Sequence, residues 1–475
     1  MEKGNDFEIE TKIKLINRSV SDDQDFITSP QIQIYLLVNP RSGSREGRSY
    51  TILEKDCYQY ELDNGDTCEL NIINILLKDS MEDFKKSVLE KSRLLNFEDE
   101  PQTLKKIITV IAGGDGSFMN ILKEMEDYGV ILDNVIFTQF PFGTANDLAR
   151  AFSWGATPSQ RMKTDLRYLC NLLNSAKETG FDIWEINIHA DEVNGDVESV
   201  DGNELISHQM HHFTKLMCHS FSFGLDARIG LNFERRRTRS RCCNNIRYAL
   251  EGMKRVFCCC FYQRTLRIRE ILTKFSQNPP EDDSQEFESI QSDDLEENAS
   301  DKMMTRQVKL DNKEFTIGSH RDEENTYYIR GNPVSLYCTN IAILMGGRNN
   351  IWEGGRNRSG ITDKSGRPID PRVFNNSVAY NDGKLEFTTF SSMFHLIFQK
   401  SRRVMQAGGP FVFEFEEYKK DEIEENKNDS EPQKTYINID GEFYRISDIR
   451  KLTISRYFKE KQLRILVNEN DSGSS

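Results

Sequence analysis

The most informative part of the sequence is ITVIAGGDGSFMNIL, from Ile108 to Leu122. β-Branched apolar residues run into two glycines, an aspartate, a third glycine and a serine, and the pattern then becomes helical. A glycine loop between a buried strand and a helix directs backbone N–H groups and the helix dipole at one point, and it leaves room for a bulky anion. The stretch therefore predicts a phosphate site, although one such turn taken alone is also typical of a tight connection.

Two further stretches contain a buried strand that is followed by a turn. IQIYLLVNPRSG begins with a buried-strand run from Ile32 to Val38, and VIFTQFPFGTANDLARAF places a second glycine turn before a helix. Strands that alternate with helices predict a mostly parallel sheet covered by helices. Because open α/β sheets bind ligands at the carboxyl ends of their strands, we expect the turns at 113–117 and 143–147 to lie together.

From Phe181 onward, short strands broken by Gly, Asn and Asp replace this alternation. The predicted fold class is an α/β N-terminal domain with a mostly parallel, helix-covered sheet, followed by a β-rich, sandwich-like accessory domain. We place a disordered leader at 1–30, the first domain at 31–180, the accessory domain at 181–466 and a tail at 467–475. Within the accessory domain, the acidic insert 277–325 is predicted to be disordered.

Composition and charge exclude several classes of protein. The net charge of −14 argues against general nucleic-acid binding, which requires a basic surface. No apolar run approaches the roughly 20 residues of a spanning helix, and the acidic, polar start is not a secretory signal. The ten cysteines form no CxxC pair, so no zinc module is predicted. These features favour a reducing, cytoplasmic location.

The aspartate of the opening stretch, Asp115, narrows the chemistry. A carboxylate beside a phosphate site is electrostatically unfavourable unless it holds a metal ion or takes up a proton. Mg²⁺ bridges carboxylates and phosphates in nucleotide sites, and phosphoryl transfer requires charge neutralisation. The sequence contains neither a GxxxxGK[ST] loop nor the protein-kinase signature set. Asp115 therefore favours a nucleotide-dependent phosphotransferase over a dinucleotide redox enzyme.

Several blocks of the sequence resemble one family. AGGDGS at 112–117 and FPFGTANDLARAFSWG at 140–155 resemble the catalytic domain of diacylglycerol kinases, within the wider superfamily of lipid and NAD kinases. HSFSFGLDARI, NIAILMGGRNNIWEGG and YINIDGEFY resemble the accessory domain of the eukaryotic-type enzymes. The resemblance implies an enzyme of lipid metabolism and signal transduction, which uses ATP and Mg²⁺ to convert diacylglycerol into phosphatidic acid.

Carried over position by position, the resemblance implies two catalytic residues and a nucleotide pocket. Asp115 would act with Mg²⁺, and Glu442 would take the proton from the lipid hydroxyl as general base. The nucleotide-binding residues implied in the same way are Asn39, Gly113, Gly114, Gly116, Ser117, Gly143, Thr144, Asn146 and Asp147. Without the resemblance, Glu442 is interpreted as a solvated residue in an Asp-Gly turn.

The resemblance also implies acidic residues near the metal: Asp115, Asp382 and Asp440. Asp382 lies in YNDGKLEF, and a lone Asn-Asp-Gly is more often a simple hairpin turn.

The acceptor lipid remains open at the level of sequence. A sphingosine- or ceramide-type lipid kinase has the same chemistry and differs only in its acceptor pocket. A non-catalytic lipid-binding relative is a third hypothesis, and the presence of Asp115, Thr144 and Glu442 argues against it. NAD kinase is disfavoured because the long accessory domain resembles the lipid branch.

The stretch from Glu234 to Glu270 is basic in an otherwise acidic chain. It holds eleven Lys or Arg against three Glu, together with five of the ten cysteines. We predict that residues 235–269 contact an anionic membrane surface, so that the protein associates peripherally with the membrane. Cys258, Cys259 and Cys260 are candidates for acylation. Alternatively, residues 246–257 form an ordinary amphipathic helix on the β-rich domain, with solvated arginines.

Overall fold

The computed structural model divides the chain into two compact units. The first comprises Met1–Phe181, Ile343–Asn349 and Glu460–Ser475, and the second comprises Asp182–Ala342 and Asn350–Lys459. The residues that the structure describes are 30–43, 45–53, 55–96, 103–238, 247, 250–253, 268–273, 314–318, 326–330, 333–343, 347, 351–355, 361–368, 377–391, 395, 398, 400–416, 434–459 and 461–469.

The first unit is built on a seven-stranded sheet with the strand order β2-β3-β1-β4-β5-β23-β6. Its strands are β1 (Ile32–Val38), β2 (Cys57–Glu61), β3 (Thr67–Asn74), β4 (Lys106–Gly113), β5 (Ile136–Pro141), β6 (Lys177–Phe181) and β23 (Leu463–Val467). The five inner strands run parallel, whereas β2 and β6 are antiparallel at the two edges. Every residue of β1 is buried, as expected for a strand that is covered on both faces.

Helices follow the strands of the first unit. They are α1 (Arg48–Thr51), α2 (Lys78–Leu94), α3 (Asp115–Asp127), a 3₁₀ turn (Leu132–Asn134), α4 (Asp147–Ala151), α5 (Gln160–Thr164) and α6 (Leu166–Ser175). Helix α3 buries Phe118, Ile121 and Leu122, which recur at helical spacing, and it contacts β4. The opening stretch therefore forms a strand and a helix, as its pattern predicts.

The strand order creates a switch point at β1. The chain passes from β1 to β3 on one side and then returns to β4 on the other side. Connections that leave in opposite directions open a crevice at the carboxyl ends of the two strands. Asn39 follows β1 and Gly114 follows β4, so both residues flank this crevice.

Strand β23 joins the first sheet from a distant part of the sequence. It pairs in parallel with β5 and antiparallel with β6. The backbone oxygen of Leu466 accepts hydrogen bonds from Thr138 Oγ1 at 2.9 Å and from Trp154 Nε1 at 3.2 Å. Residues 463–466 were predicted to belong to the accessory domain, whereas in the structure they pair with the first sheet. A five-residue apolar strand carries no signal of its partner.

The second unit contains two eight-stranded sheets. Their orders are β10-β7-β22-β19-β12-β13-β14-β16 and β18-β17-β15-β11-β20-β21-β8-β9. The strands are β7 (Trp184–Ala190), β8 (Asp196–Asp201), β9 (Glu204–Ser207), β10 (His212–Met217), β11 (Ser220–Gly224), β12 (Ile268–Leu272), β13 (Glu314–Gly318), β14 (Tyr327–Arg330), β15 (Ser335–Thr339), β16 (Ile361–Thr362), β17 (Lys384–Phe390), β18 (Arg402–Gly408), β19 (Phe411–Phe415), β20 (Lys434–Ile439), β21 (Glu442–Ser447) and β22 (Ile449–Arg456). The prediction of an α/β region followed by a β-rich region is confirmed.

Aromatic residues of both sheets share one hydrophobic core in the second unit. Phe223 of one sheet lies 5.1 Å from Phe413 of the other, and Phe387 lies 4.8 Å from Phe411, measured between ring centroids. Burial of each ring contributes about 1.5–3 kcal/mol to the stability of the folded state. Helix α7 (Leu225–Glu234) packs on the second sheet, in contact with β11, β20 and β21.

Parts of the leader, the acidic insert and the basic stretch lie outside the described residues. These are residues 1–29 of the leader, most of the acidic insert and most of the basic stretch. The insert was predicted to be disordered from end to end, but residues 314–318 form β13, which pairs with β12 and β14. Among the described helices, none is long and apolar enough to cross a membrane.

Candidate active site

Asn39 connects the end of β1 to the start of α3. Its backbone N–H donates to the carbonyl of Ala112 at 3.0 Å. Its Nδ2 donates to Ser117 Oγ at 3.4 Å, and its Oδ1 accepts from the N–H of Arg41 at 3.1 Å. The side chain therefore fixes the loop after β1 against the first turn of α3.

The glycine stretch at 113–117 is a direct transition from strand to helix. Gly113 ends β4, Gly114 caps the helix, and α3 begins at Asp115, so Gly116 and Ser117 lie in its first turn. A Cβ added at Gly116 would have no heavy atom within 4 Å. The positive end of a 13-residue helix therefore lies at the crevice, beside open space.

The three turns contact one another through their backbones. A Cβ on Gly143 would lie 2.5 Å from Gly114 Cα, and a Cβ on Gly43 would lie 2.5 Å from the carbonyl oxygen of Phe142. Gly43 also has a φ of +52°, which favours glycine. The stretch NPRSG predicts a turn here, and Gly43 is the residue of that turn that contacts the second glycine turn.

The Asp115 carboxylate caps the second glycine turn. Gln139 Nε2 donates to Oδ1 at 2.8 Å, and the N–H groups of Asp147 and Leu148 donate to Oδ2 and Oδ1 at 3.3 and 3.4 Å. Asp115 therefore binds the N-terminus of α4, where a negative charge is favoured. Gln139 is fully buried, and its Oε1 has no hydrogen-bond partner in the part of the chain that the structure describes.

Asn146 shapes the second turn with all of its side-chain polar atoms. It is left-handed, with a φ of +58°; its Oδ1 accepts from the N–H of Gly143 at 2.7 Å. Its Nδ2 donates to the carbonyls of Pro141 and Ala156 at 3.0 and 2.8 Å. A role in nucleotide binding would therefore be exerted through the shape of the turn.

The two neighbours of Asn146 differ in exposure. Thr144 is exposed at the turn, whereas Asp147 is buried and accepts from the N–H of Gly347 at 3.0 Å. The hydroxyl of Thr144 is therefore accessible to a ligand. The buried carboxylate of Asp147 instead stabilises the fold through its hydrogen bond to Gly347.

In the second unit, Asp440 and Glu442 share one hairpin. Asp440 and Gly441 both have positive φ and form the two-residue turn between β20 and β21. The Asp440 carboxylate accepts from the N–H groups of Cys218, His219 and Ser220 at 2.8–2.9 Å. It thereby fixes the hairpin to the segment that leads into β11.

Glu442 follows this turn and is half exposed. Its Oε2 accepts from the hydroxyl of Tyr444 at 2.7 Å and contacts Lys215 Nζ. Neither partner was among the predicted site residues.

Asp382 lies in a turn before β17. Its Oδ1 accepts from the N–H of Lys384 at 3.0 Å. Although the residue is exposed, the surrounding protein partly desolvates its carboxyl group, and this raises its pKa; the charge of Asp182 also contributes. The neighbouring Gly383 has a φ of +67°, as in a tight turn.

The predicted residues of the first unit thus gather at the carboxyl ends of β1, β4 and β5. The oxygen atoms present there suit Mg²⁺, which prefers hard oxygen ligands: they are the Asp115 carboxylate and Oε1 of Gln139, whose Nε2 donates to that carboxylate. No group of three or more His, Cys, Asp or Glu arranged for a metal ion occurs within the described ranges. The individual assignments of ligands and catalytic groups stay predictions.

Comparisons with known families identify both parts of the chain. The model of the diacylglycerol kinase catalytic domain matches residues 33–174, and that of the diacylglycerol kinase accessory domain matches residues 216–443. A comparison with curated proteins gave no match. The two domain models occur here in the order and over the regions that the sequence blocks predicted. The chain therefore belongs to the eukaryotic-type diacylglycerol kinase family and is an ATP-dependent kinase that phosphorylates diacylglycerol to phosphatidic acid.

Proposed function

We propose that the turns after β1, β4 and β5 bind the phosphates of ATP. The observation that carries this proposal is the backbone contact between Gly143 and Gly114 beside the N-terminus of α3. Such a contact brings two glycine loops to one place, and the open space beside Gly116, in the first turn of α3, has room for an anion. Asn39 and Ser117, which are hydrogen-bonded across the crevice, complete the set in the first unit.

Asp115 is the proposed organiser of the metal. Its carboxylate accepts hydrogen bonds from Gln139 Nε2 and from the N–H groups of Asp147 and Leu148, and carboxylate oxygens are ligands that Mg²⁺ prefers. Asp115 and Gln139 Oε1 would hold Mg²⁺, which would neutralise charge on the transferred phosphate. Asp382 and Asp440 stay proposed as further acidic residues near the metal.

Glu442 is the proposed general base. Its carboxylate takes the proton from the primary hydroxyl of diacylglycerol as that oxygen attacks the γ-phosphorus. The bond from the γ-phosphorus to the β–γ bridging oxygen then breaks, and ADP leaves with that oxygen. The exposure of Glu442 at the start of β21 supports this role, because a base must be accessible to its substrate.

The experiment is a phosphorylation assay with acceptor choice. Purified protein, Mg²⁺ and γ-labelled ATP are incubated with micelles that contain diacylglycerol, sphingosine or ceramide, and labelled lipids are separated. We expect labelled phosphatidic acid and no labelled sphingoid product. Asp115→Asn should lower kcat by roughly 10²–10³-fold or more, because an electrostatic organiser of the transition state is lost.

The matched control is Asp127→Asn at the other end of α3. Within the residues that the structure describes, Asp127 pairs only with Lys123, at 3.0 Å on the surface, so its replacement should leave kcat unchanged. Circular dichroism and Tm show whether each variant is folded. Near-normal turnover by folded Asp115→Asn would remove Asp115 from the catalytic centre.

We further propose that residues 235–269 contact anionic membrane and keep the enzyme peripherally bound there. Support comes from the charge of the sequence, since most of this stretch lies outside the described residues. Of the described arginines, Arg236 pairs with Glu251 at 2.6 Å and Arg237 with Glu234 at 3.0 Å.

A further inference from the structure

We propose that Lys215 and Tyr444 position the base: they hold Oε2 of Glu442 and leave Oε1 to accept the proton of the lipid hydroxyl. This inference rests on the proposed role of Glu442 and adds two residues to it. Both are positioning residues, because they act through Glu442 rather than on the substrate.

Each of the three side chains, Lys215, Glu442 and Tyr444, contacts the other two. The hydroxyl of Tyr444 donates to Glu442 Oε2 at 2.7 Å. Lys215 Nζ contacts the same oxygen and donates to the Tyr444 hydroxyl oxygen at 3.0 Å. Glu442 and Tyr444 are two residues apart on β21 and so lie on one face of the strand. Lys215 comes from β10, in the other sheet, so the set is held from two directions.

The anchors are better buried than the base. Tyr444 is 5% exposed, and its ring lies 5.0 Å from that of Phe213. The side chain of Lys215 is 26% exposed, whereas that of Glu442 is 55% exposed. Burial raises the pKa of Tyr444, and the charge of Glu442 raises it further. The tyrosine therefore keeps its proton and remains a hydrogen-bond donor.

The two oxygens of Glu442 are not equivalent. In the described part of the chain, every hydrogen bond and ion pair that reaches this carboxylate goes to Oε2. A base needs a fixed orientation and an acceptor atom within reach of the proton. The contacts to Oε2 fix the orientation of the carboxylate, and Oε1 remains available to accept the proton.

The opposite face of β21 is fixed as well. A Cβ on Gly230 of α7 would lie 2.0 Å from Cε1 of Phe443, so the helix approaches the strand at a glycine. Phe443 separates Glu442 from Tyr444 along the strand. Contacts on both faces thus limit the movement of the base.

The test is a set of full-length variants assayed in mixed micelles. Lys215→Met should lower kcat roughly 10–100-fold, the effect of losing a hydrogen bond to a charged group, while KM for ATP stays unchanged. Tyr444→Phe should give a smaller loss with the same pattern. Lys215→Arg should restore most of the activity, because it keeps the cation and its donors.

A double-mutant cycle separates positioning from any independent role. If Lys215 acts only through Glu442, adding Lys215→Met to Glu442→Gln lowers kcat no further. Arg445→Met is the matched control, because it breaks the ion pair with Glu198 at the neighbouring residue of β21. It should lower Tm and leave kcat unchanged.

The outcomes distinguish this inference from the function on which it rests. An active Glu442→Gln variant would overturn the proposed base itself. An inactive Glu442→Gln variant with normal kcat in both Lys215→Met and Tyr444→Phe would overturn only the positioning role, and so would additive losses in the cycle. Tyr444→Phe removes a single oxygen atom, so it decides the question if Lys215→Met does not fold.

Discussion

At the scale of single residues, Glu386 is a carboxyl group without exposed surface. Its Oε1 accepts from Gln406 Nε2 at 2.7 Å, and its Oε2 has no hydrogen-bond partner within the described residues. Burial therefore raises the pKa of Glu386 well above its usual value of 4.5. Between pH 4.5 and this raised pKa, the folded state therefore holds a proton that the unfolded chain has released.

This proton makes stability depend on pH with a defined sign. From about pH 4.5 up to the raised pKa, the unfolded state binds fewer protons than the folded state, so the free energy of unfolding of the wild type falls as pH rises. Glu386→Gln should lack this slope, and its stability relative to wild type should improve as pH rises from about 4.5 toward the raised pKa. Urea unfolding across this range is the measurement, with exposed Glu204→Gln as control. Parallel curves for wild type and Glu386→Gln would contradict a neutral Glu386.

Some of the site residues were predictable from the sequence and others were not. Asp115 was predictable because a carboxylate among three glycines is chemically conspicuous. Gln139 was not, because a glutamine in a strand gives no signal of the carboxylate that it binds. The contact of Lys215 with Glu442 was likewise not predictable, because 227 positions separate the two residues and no motif contains both.

At the scale of elements, the two glycine turns behave as one unit because their backbones meet. In Gly143→Ala, the new Cβ would lie 2.5 Å from Gly114 Cα and 2.7 Å from Asn146 Oδ1, so the loops must move apart. Overpacking of this kind costs about 1–3 kcal/mol of stability. We expect a lower Tm together with a raised KM for ATP.

Gly116→Ala separates the effect on stability from the effect on ATP binding. Its Cβ would meet no atom within 4 Å, and alanine favours a helix over glycine, so Tm should stay or rise. The same methyl group would enter the space beside the phosphate turns, so KM for ATP should still rise. Unchanged Tm and KM in Gly143→Ala would show that the turns do not depend on their contact.

Elements were predictable where the signal was local. The hydrophobic pattern of residues 108–122 specifies both a strand and a helix. The same pattern recurs in VIFTQFPFGTANDLARAF, on the two sides of the second glycine turn. Strands β13 and β23 are five residues long and pair with segments whose identity depends on the three-dimensional fold. Local periodicity identifies a strand, but it does not identify the partner.

At the scale of the whole molecule, the charge is unevenly distributed along the chain. Eleven of its Lys and Arg residues lie between Glu234 and Glu270, in a chain of net charge −14. Each basic residue near an anionic leaflet contributes about 1 kcal/mol of attraction. Replacing Arg235, Arg237, Arg239 and Arg241 with Gln should weaken binding to anionic vesicles and flatten its salt dependence. Arg236 is retained because its partner Glu251 is buried, whereas Glu234, the partner of Arg237, is partly exposed.

The matched control removes four positive charges from the first unit instead of the basic stretch. Lys105, Lys123, Lys177 and Lys461 are exposed lysines of the first unit, and each pairs with a surface carboxylate. Their replacement by Gln should leave most vesicle binding intact. Equal losses in the two quadruple variants would mean that net charge, rather than the basic stretch, determines attraction to the membrane.

The position of β23 has a consequence for the timing of synthesis. The ribosome must add residues 463–467 before the first sheet contains all of its strands. At about 5–20 residues per second, the interval between Phe181 and Leu463 is roughly 15–60 s. During this time β5 and β6 each lack a neighbour, and unpaired strand edges are sites of aggregation and chaperone binding. The catalytic half of the enzyme therefore matures after its accessory strands have emerged, so the nascent chain cannot fold domain by domain from its N-terminus.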